Sequence, residues 1–337
     1  MQVSAVIESI WPTIIEILPR VGRITALITI GVFVANIAVE AGLIRRIAAV
    51  SKFLTRPANL PDIVGTAIIT TAASTTAGYG MLADFRESGR LSDVETLIAV
   101  TMNTFFGFIQ HVFTFYAPVL IPILGLEVGL LYVGSRAAIA LGITVAGIAA
   151  GAVMLRGSPL GQTPSRPQRQ DDIPPAERHS TVSEAEDTSP LVITEAALRS
   201  TWPKIRRIIP RLAIIYVIVT LVIETQDLES ITAIAAPLTA VLGLPGAALP
   251  VIAVFTFDTT AGAATIAPMV GTTFSPRAAV ATMLLGGIIS FAVSTFKRSI
   301  PFQYGIWGPS FGSKVIIVNT ILKVVFILAA LAVLLVP

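Results

Sequence analysis

Apolar positions dominate this chain in runs too long and too free of charge for a soluble core. Stretches of about twenty or more such residues recur, as membrane-spanning helices require. The first half offers them at roughly 22–44, 61–82, 94–124 and 128–155. The second half offers 212–224, then 231–271 (interrupted by Pro237, Pro245, Gly246, Pro250 and Pro268), 278–300 and 313–336. Each half opens with an amphipathic segment. In the second, Leu198, Trp202, Ile205, Ile208 and Leu212 keep helical spacing while Arg199, Lys204, Arg207 and Arg211 lie elsewhere on the wheel, which predicts a helix in the membrane interface. The fold expected is an all-α polytopic membrane protein.

One segment breaks the pattern. Residues 157–190 hold six prolines, six acids and three arginines with almost nothing to bury, a composition that predicts a disordered linker and a merely solvated His179. The domains expected are a membrane repeat over 1–156, a polar linker over 157–194 and a second membrane repeat over 195–337. Composition agrees: of 337 residues 54% are hydrophobic and 13% charged, and mean hydropathy is +0.83. A net charge of +3 with no basic, aromatic-rich domain points to cationic loops at a membrane face and not to nucleic acid. With no cysteine there is neither a disulfide nor a thiolate site. Glu8, Pro12 and Glu16 interrupt the first apolar run, a pattern unlike a cleaved signal peptide.

The halves resemble each other. Trp11-Pro12 with Leu18-Pro19-Arg20 returns as Trp202-Pro203 with Ile209-Pro210-Arg211. Ser74-Thr75-Thr76-Ala77-Gly78 returns as Asp258-Thr259-Thr260-Ala261-Gly262. Thr101-Met102 returns as Thr282-Met283, and Pro118 with Gly125 as Pro301 with Gly308. Charge placement is reversed between them. Arg45, Arg46, Lys52 and Arg56 follow the first helix of half one, while Glu224, Asp227 and Glu229 follow that of half two. Positive charge favours the cytoplasmic side, so the halves are expected as inverted-topology repeats, with the linker cytoplasmic and the chain multi-pass in the cell membrane. Inversion needs an odd number of crossings per half. A re-entrant hairpin at the TTAG motif gives one solution; a fully spanning TTAG segment with 94–124 split in two gives the other. Asp84, close behind Gly78, weighs against the hairpin.

Few residues carry candidate chemistry. Asp258 sits deep in an apolar run, where an acid costs about 2.5–3.5 kcal/mol and normally faces a cavity or a partner. Thr75, Thr76, Thr259 and Thr260, followed by Gly78 and Gly262, suit an unwound helix break whose backbone can bind solute or ion; helix capping is the plainer use of the same residues. Along 94–124, Thr96, Asn103, Gly107, Gln110 and Thr114 fall within about forty degrees of one line, with His111 beside it. At about 46 Å as one straight helix, this segment needs tilt or a break near Pro118 and Pro122. Arg136 and Lys323 enter the last helix of each half, with Asn319 one turn before Lys323. Lys323 could balance Asp258, or both cations could snorkel to an interface. Gly286, Ser290 and Ser294 make a small-residue packing face. No metalloprotease motif, phosphate loop or metal-spaced cluster is present in the sequence, so no enzyme, cofactor or metal is expected.

The run STTAGYGMLADFRESGRLSDVETLIAVTMNT, with DTTAG in half two, resembles the nucleoside-recognition (Gate) domain family of integral membrane proteins, and the architecture is similar to that of concentrative nucleoside transporters. The resemblance covers roughly 20–155 and 205–336. It implies a re-entrant hairpin in each half, with Ser74, Thr75, Thr76, Asp258, Thr259 and Thr260 approaching a central solute and Asn103 and Thr282 on facing helices. Half one has no acid at its hairpin tip, unlike those transporters, and the cysteines of iron-carrying Gate domains are absent. The function expected is a secondary transporter or permease for a small polar solute, a nucleoside among the candidates. It would be coupled to H⁺ or Na⁺ through Asp258, with His111, Lys323 and Arg136 as further ion-coupling candidates. Its partners are the lipid bilayer, the solute and the ion, with a homo-oligomer left open. The alternative is a non-transporting scaffold or assembly factor of the spore-maturation type.

Overall fold

The computed structural model describes residues 55–156, 242–295 and 299–335, with single helical residues between 15 and 37 and between 194 and 210. The linker to residue 193, most of the first apolar segment, 212–224 and 231–241 lie outside the described residues. Of the second amphipathic segment, Leu198 and Trp202 are described, helical and exposed.

Half one begins with a helix broken at a single residue. The apolar helix α1 (Ile63–Ala73) ends and α2 (Thr75–Glu87) begins around Ser74, whose backbone is extended (φ −147°, ψ 111°). The Ser74 N–H closes α1 on Thr70 O at 2.7 Å, and its Oγ accepts the Ala77 N–H at 3.4 Å to open α2. A serine suits both duties because its side chain competes with the backbone for local hydrogen bonds. The two arms pack on each other. A Cβ added to Gly78 would overlap Thr71 Oγ1 and lie 2.8 Å from Ala67 O, so the chain doubles back here and only glycine fits. Arms of 11 and 13 residues reach about 16 and 20 Å, short of a core about 30 Å thick. Asp84 does not obstruct the hairpin: it stands near its open end, paired with Arg90 at 3.1 Å.

A capping box of Ser92 and Glu95 then starts α3 (Asp93–Met102), and α4 (Thr104–His111) follows beyond Asn103. The helix does not break at its prolines. It widens through a π-helical stretch, Val112–Leu120, that takes in Pro118, and closes with α5 (Ile121–Leu124). The wider i→i−5 pairing, seen where Ile121 N–H meets Tyr116 O, lets the chain continue past a residue that has no N–H. The interruption lies at Asn103 instead, where Thr144 inserts its hydroxyl: it donates to Met102 O at 2.9 Å and accepts the Phe105 N–H at 3.2 Å. Gly125, at φ 81° and ψ 166°, turns the chain into the long helix α6 (Leu126–Met154).

Half two contains a second broken helix. Between α7 (Ala248–Phe257) and α8 (Thr259–Ile266), Asp258 takes φ −151° and ψ 120°, close to the values at Ser74. Its N–H donates to Val254 O at 3.1 Å and its Oδ1 accepts the Ala261 N–H at 2.7 Å. Gly262 presses on Phe255 as Gly78 does on Thr71, with a Cβ placed 2.6 Å from Phe255 Cα. After α9 (Pro276–Ser294) comes α10 (Ile300–Leu335), bent inside at Gly308 (φ 72°, ψ 166°). Gly125 and Gly308, 183 residues apart, thus share one left-handed backbone geometry.

Two buried clusters organise the bundle. One gathers α1, α2 and α3 with Leu155 beyond the end of α6 and with Trp307, Phe311 and Val315 from the first part of α10. The other gathers α7, α8 and α9 with Leu124, Val128 and Tyr132 near the start of α6, and with Ile327 and Leu331 near the end of α10. The hairpins therefore occupy opposite ends of the α6–α10 pair, which is tightly packed where Gly142 meets Phe326. Three helices, Asp93–Leu124, Leu126–Met154 and Ile300–Leu335, are long and apolar enough to cross a membrane. Exposed Val145, Val153, Ile317 and Val333 give α6 and α10 apolar outer faces. The described residues form no strand, and the protein is a helical membrane protein.

Candidate functional site

A cavity of about 250 Å³ lies between hairpin one and the long helices. Helical spacing explains which residues reach it. On α6, Arg136, Ile139, Ala140 and Ile143 form one face; on α10, Ile316, Asn319, Thr320, Lys323 and Ile327 form another. The tip of hairpin one adds Thr75 and, one turn on, Tyr79. From the interrupted third helix come Asn103, Gly107 and His111, and Tyr116, Ser299 and Gln303 complete the polar wall. Arg136 and Lys323 stand about 15 and 18 Å along their helices from one shared end, near half the thickness of an apolar core.

Local hydrogen bonds orient the polar groups. Thr71 donates to Ala67 O at 3.0 Å, so its oxygen accepts from Asn103 Nδ2 at 2.6 Å. That assignment turns Asn103 Oδ1 away, and this fully buried acceptor has no partner among the described residues. Thr75 donates to Gln110 Oε1 at 2.6 Å, joining the hairpin tip to the polar stripe. An indole can only donate, so Trp307 Nε1 holds Gln303 by its Oε1 at 2.7 Å and leaves the Gln303 amide hydrogens free to serve as donors. The Gly107 carbonyl can only accept, so His111 Nδ1 carries its hydrogen in their 3.1 Å contact.

The charges that the described residues bring to the cavity are all of one sign. Among the described residues, no Asp or Glu lines the cavity. Arg136 lies beside the Tyr116 and Tyr132 hydroxyls, and Lys323 lies 5.6 Å from the centre of the Phe291 ring. The ion pairs among described residues are Arg86–Asp93, Arg90–Asp84, Lys314–Asp93 and Arg199–Glu195. None includes Arg136 or Lys323. On insertion scales each such cation at a helix centre costs about 2.5–3.5 kcal/mol.

The sequence-based candidates divide cleanly. Thr75, Asn103, His111, Arg136 and Lys323 meet at the cavity, with Gln110 bonded to Thr75. Ser74 caps α2, Thr76 is exposed, and Gly78 is packed inside hairpin one. Asp258 caps α8 and is not among the cavity residues; neither are Thr259, Thr260 and Gly262. Thr282 is buried and donates to Ala278 O at 2.8 Å, which leaves it a packing role on α9. Tyr79, Tyr116, Ser299, Gln303 and Thr320 are additional cavity residues. Thr320 was legible from its place between Asn319 and Lys323 at helical spacing. For Ser299 and Gln303 no local signal exists.

Comparison with known proteins adds relatives without an activity. Two proteins of Methanocaldococcus jannaschii are similar along nearly the whole chain, each at 23% identity. The uncharacterized protein MJ0880 matches over 325 residues, 94% of this chain and 99% of its own length. The uncharacterized protein MJ0871 matches over 320 residues, 92% of each. The uncharacterized protein MJ1556 of the same organism is 30% identical over 99 residues, 29% of this chain and 31% of its own. No family model matches the chain, and no solved structure does.

Proposed function

We propose that this protein is a multi-pass carrier that moves a small polar solute through the cavity between hairpin one and the α6 and α10 helices. The observation that carries the reading is the cavity itself, lined by polar and charged side chains at mid-depth among apolar helices. Its size is just under the range of drug-sized pockets, which fits a small solute. Two inverted repeats, each with a re-entrant hairpin, would supply alternating access by rocking about the site. Support for that comes from the matched backbone breaks at Ser74 and Asp258, the matched glycines at Gly125 and Gly308, and the hairpins at opposite ends of the bundle. The Gate-type resemblance of the TTAG motifs points the same way and keeps nucleosides among the solutes to try, with H⁺ or Na⁺ as the coupling ion.

The absence of cysteine makes the test direct. A single Thr75→Cys in the native background is exposed to a membrane-impermeant thiol reagent from each side of a sealed vesicle. A carrier gives labelling from both sides across its cycle, with the balance moved by a transported solute or an ion gradient. Labelling from neither side, under every condition, would replace the carrier with a dry, packed scaffold.

A further inference from the structure

We propose that the ligand of this cavity is a small organic oxyanion, a carboxylate or a phosphate ester, that also offers a hydroxyl or N–H hydrogen to Asn103. It rests on the carrier reading for its role as transported solute. Its chemistry rests on the lining alone.

Arg136 and Lys323 share one cavity, and among the described residues no carboxylate lines it. A guanidinium does not shed its proton in a protein, so Arg136 stays charged at mid-depth. The tyrosine hydroxyls beside it offer dipoles and not a counter-charge. An anion between the two cations relieves the repulsion between them and the desolvation of each at once. Gln303 adds neutral donors held in place by Trp307, and the first residue of α2, Thr75, lines the cavity. Tyr79 lies on the same wall, while the Thr75 hydroxyl hydrogen is already given to Gln110.

Asn103 narrows the class further. Its Oδ1 is a buried acceptor with no donor among the described residues, on a residue of a wall otherwise rich in donors. Simple inorganic anions such as sulfate leave it unsatisfied. An oxyanion that carries a hydroxyl or N–H satisfies both ends. An uncharged nucleoside would serve Asn103 and leave the two cations uncompensated.

The test is binding, measured on the purified full chain in low-salt, neutral nanodiscs, with each anion set against an uncharged counterpart. Malate is paired with its diamide, glycerol 3-phosphate with glycerol, and uridine monophosphate with uridine. At least one anion should raise the melting temperature in a concentration-dependent way while its counterpart does not; the first pair and the other two separate carboxylate from phosphate ester. Arg136→Gln and Lys323→Gln should each weaken that binding about tenfold or more, and Arg136→Lys should retain most of it. Uncharged partners that bind as well as the anions would overturn the proposal, as would silence from all three anions. The wild-type pairs decide this even where a variant fails to fold. Flux into proteoliposomes separates the two readings. An anion that binds but is not carried leaves the site and removes the carrier; an uncharged solute carried unchanged by both Gln variants leaves the carrier and removes the anion.

Discussion

Asp93 and Lys314, 221 residues apart, meet at 3.1 Å and tie the two halves together near the open end of hairpin one. The same carboxylate accepts from Arg86 Nε at 2.7 Å, and the Arg86 guanidinium lies 4.1 Å from the centre of the Phe311 ring. One side chain thus joins α2, α3 and α10. These groups are partly exposed, so each pair is worth about 0.2–1 kcal/mol and less at high salt. Lys314→Ala should hardly alter thermal stability. In a carrier it should raise labelling of Thr75→Cys from the Asp93 side, because opening that side must part these residues. Unchanged labelling would show that the tie is no gate.

The hairpin glycines should be intolerant of even one methyl group. Gly78→Ala and Gly262→Ala place a Cβ against backbone or branched atoms, where overpacking costs about 1–3 kcal/mol. Gly80→Ala, with nothing within 4 Å of the added carbon, should be neutral or slightly stabilising. Unfolding in mixed micelles ranks the three; equal behaviour of Gly78→Ala and Gly80→Ala would contradict the doubled-back arms.

Thr144→Val keeps the shape of the side chain and removes the bridge at Asn103. Met102 O and the Phe105 N–H lose their partner, a penalty of about 1–3 kcal/mol. Thr144→Ser should restore most of it. Because Asn103 sits at that break, Thr144→Val should also weaken ligand binding, measured by the same melting shifts.

Asp258 separates capping from coupling. Asn retains an acceptor for the Ala261 N–H, so Asp258→Asn should fold normally, while Asp258→Ala should lose about 1 kcal/mol. The cap alone predicts that Asp258→Asn keeps gradient-driven uptake. Loss of uptake in a normally folded Asp258→Asn protein would assign the carboxylate to ion coupling.

Apolar run length was enough to place the long helices, since few structures other than a spanning helix bury such runs. The TTAG motifs were legible as helix breaks because serine or aspartate before two threonines offers a capping oxygen, and Gly78 and Gly262 mark the close approach. Whether such a segment folds back was not legible, because that depends on Gly78 finding Ala67 across the hairpin. The prolines misled about 94–124: a π-helical stretch absorbs Pro118, while the real interruption depends on Thr144, which is distant in sequence. The stripe through Asn103 and Gln110 led to the cavity. Asp258 attracted weight as a deep acid, and the structure gives it a second use, the start of a helix that needs an acceptor. Gln303 was hidden because only the bend at Gly308 and the Trp307 contact bring it to the wall.

The register set by Gly125 and Gly308 makes Arg136 the counterpart of Asn319, and Ala140 the counterpart of Lys323. The frame is nearly matched and its lining is lopsided. An oxyanion of the proposed class would have one heading only, its charged end toward the two cations and its donor toward Asn103. As the bundle rocks, one opening would present the charged end first and the other would present it last. The two half-cycles would then differ in release rate, so influx and efflux through such a carrier would differ in half-saturation and maximal rate, while net flux stays zero at equal solute on both sides of the membrane.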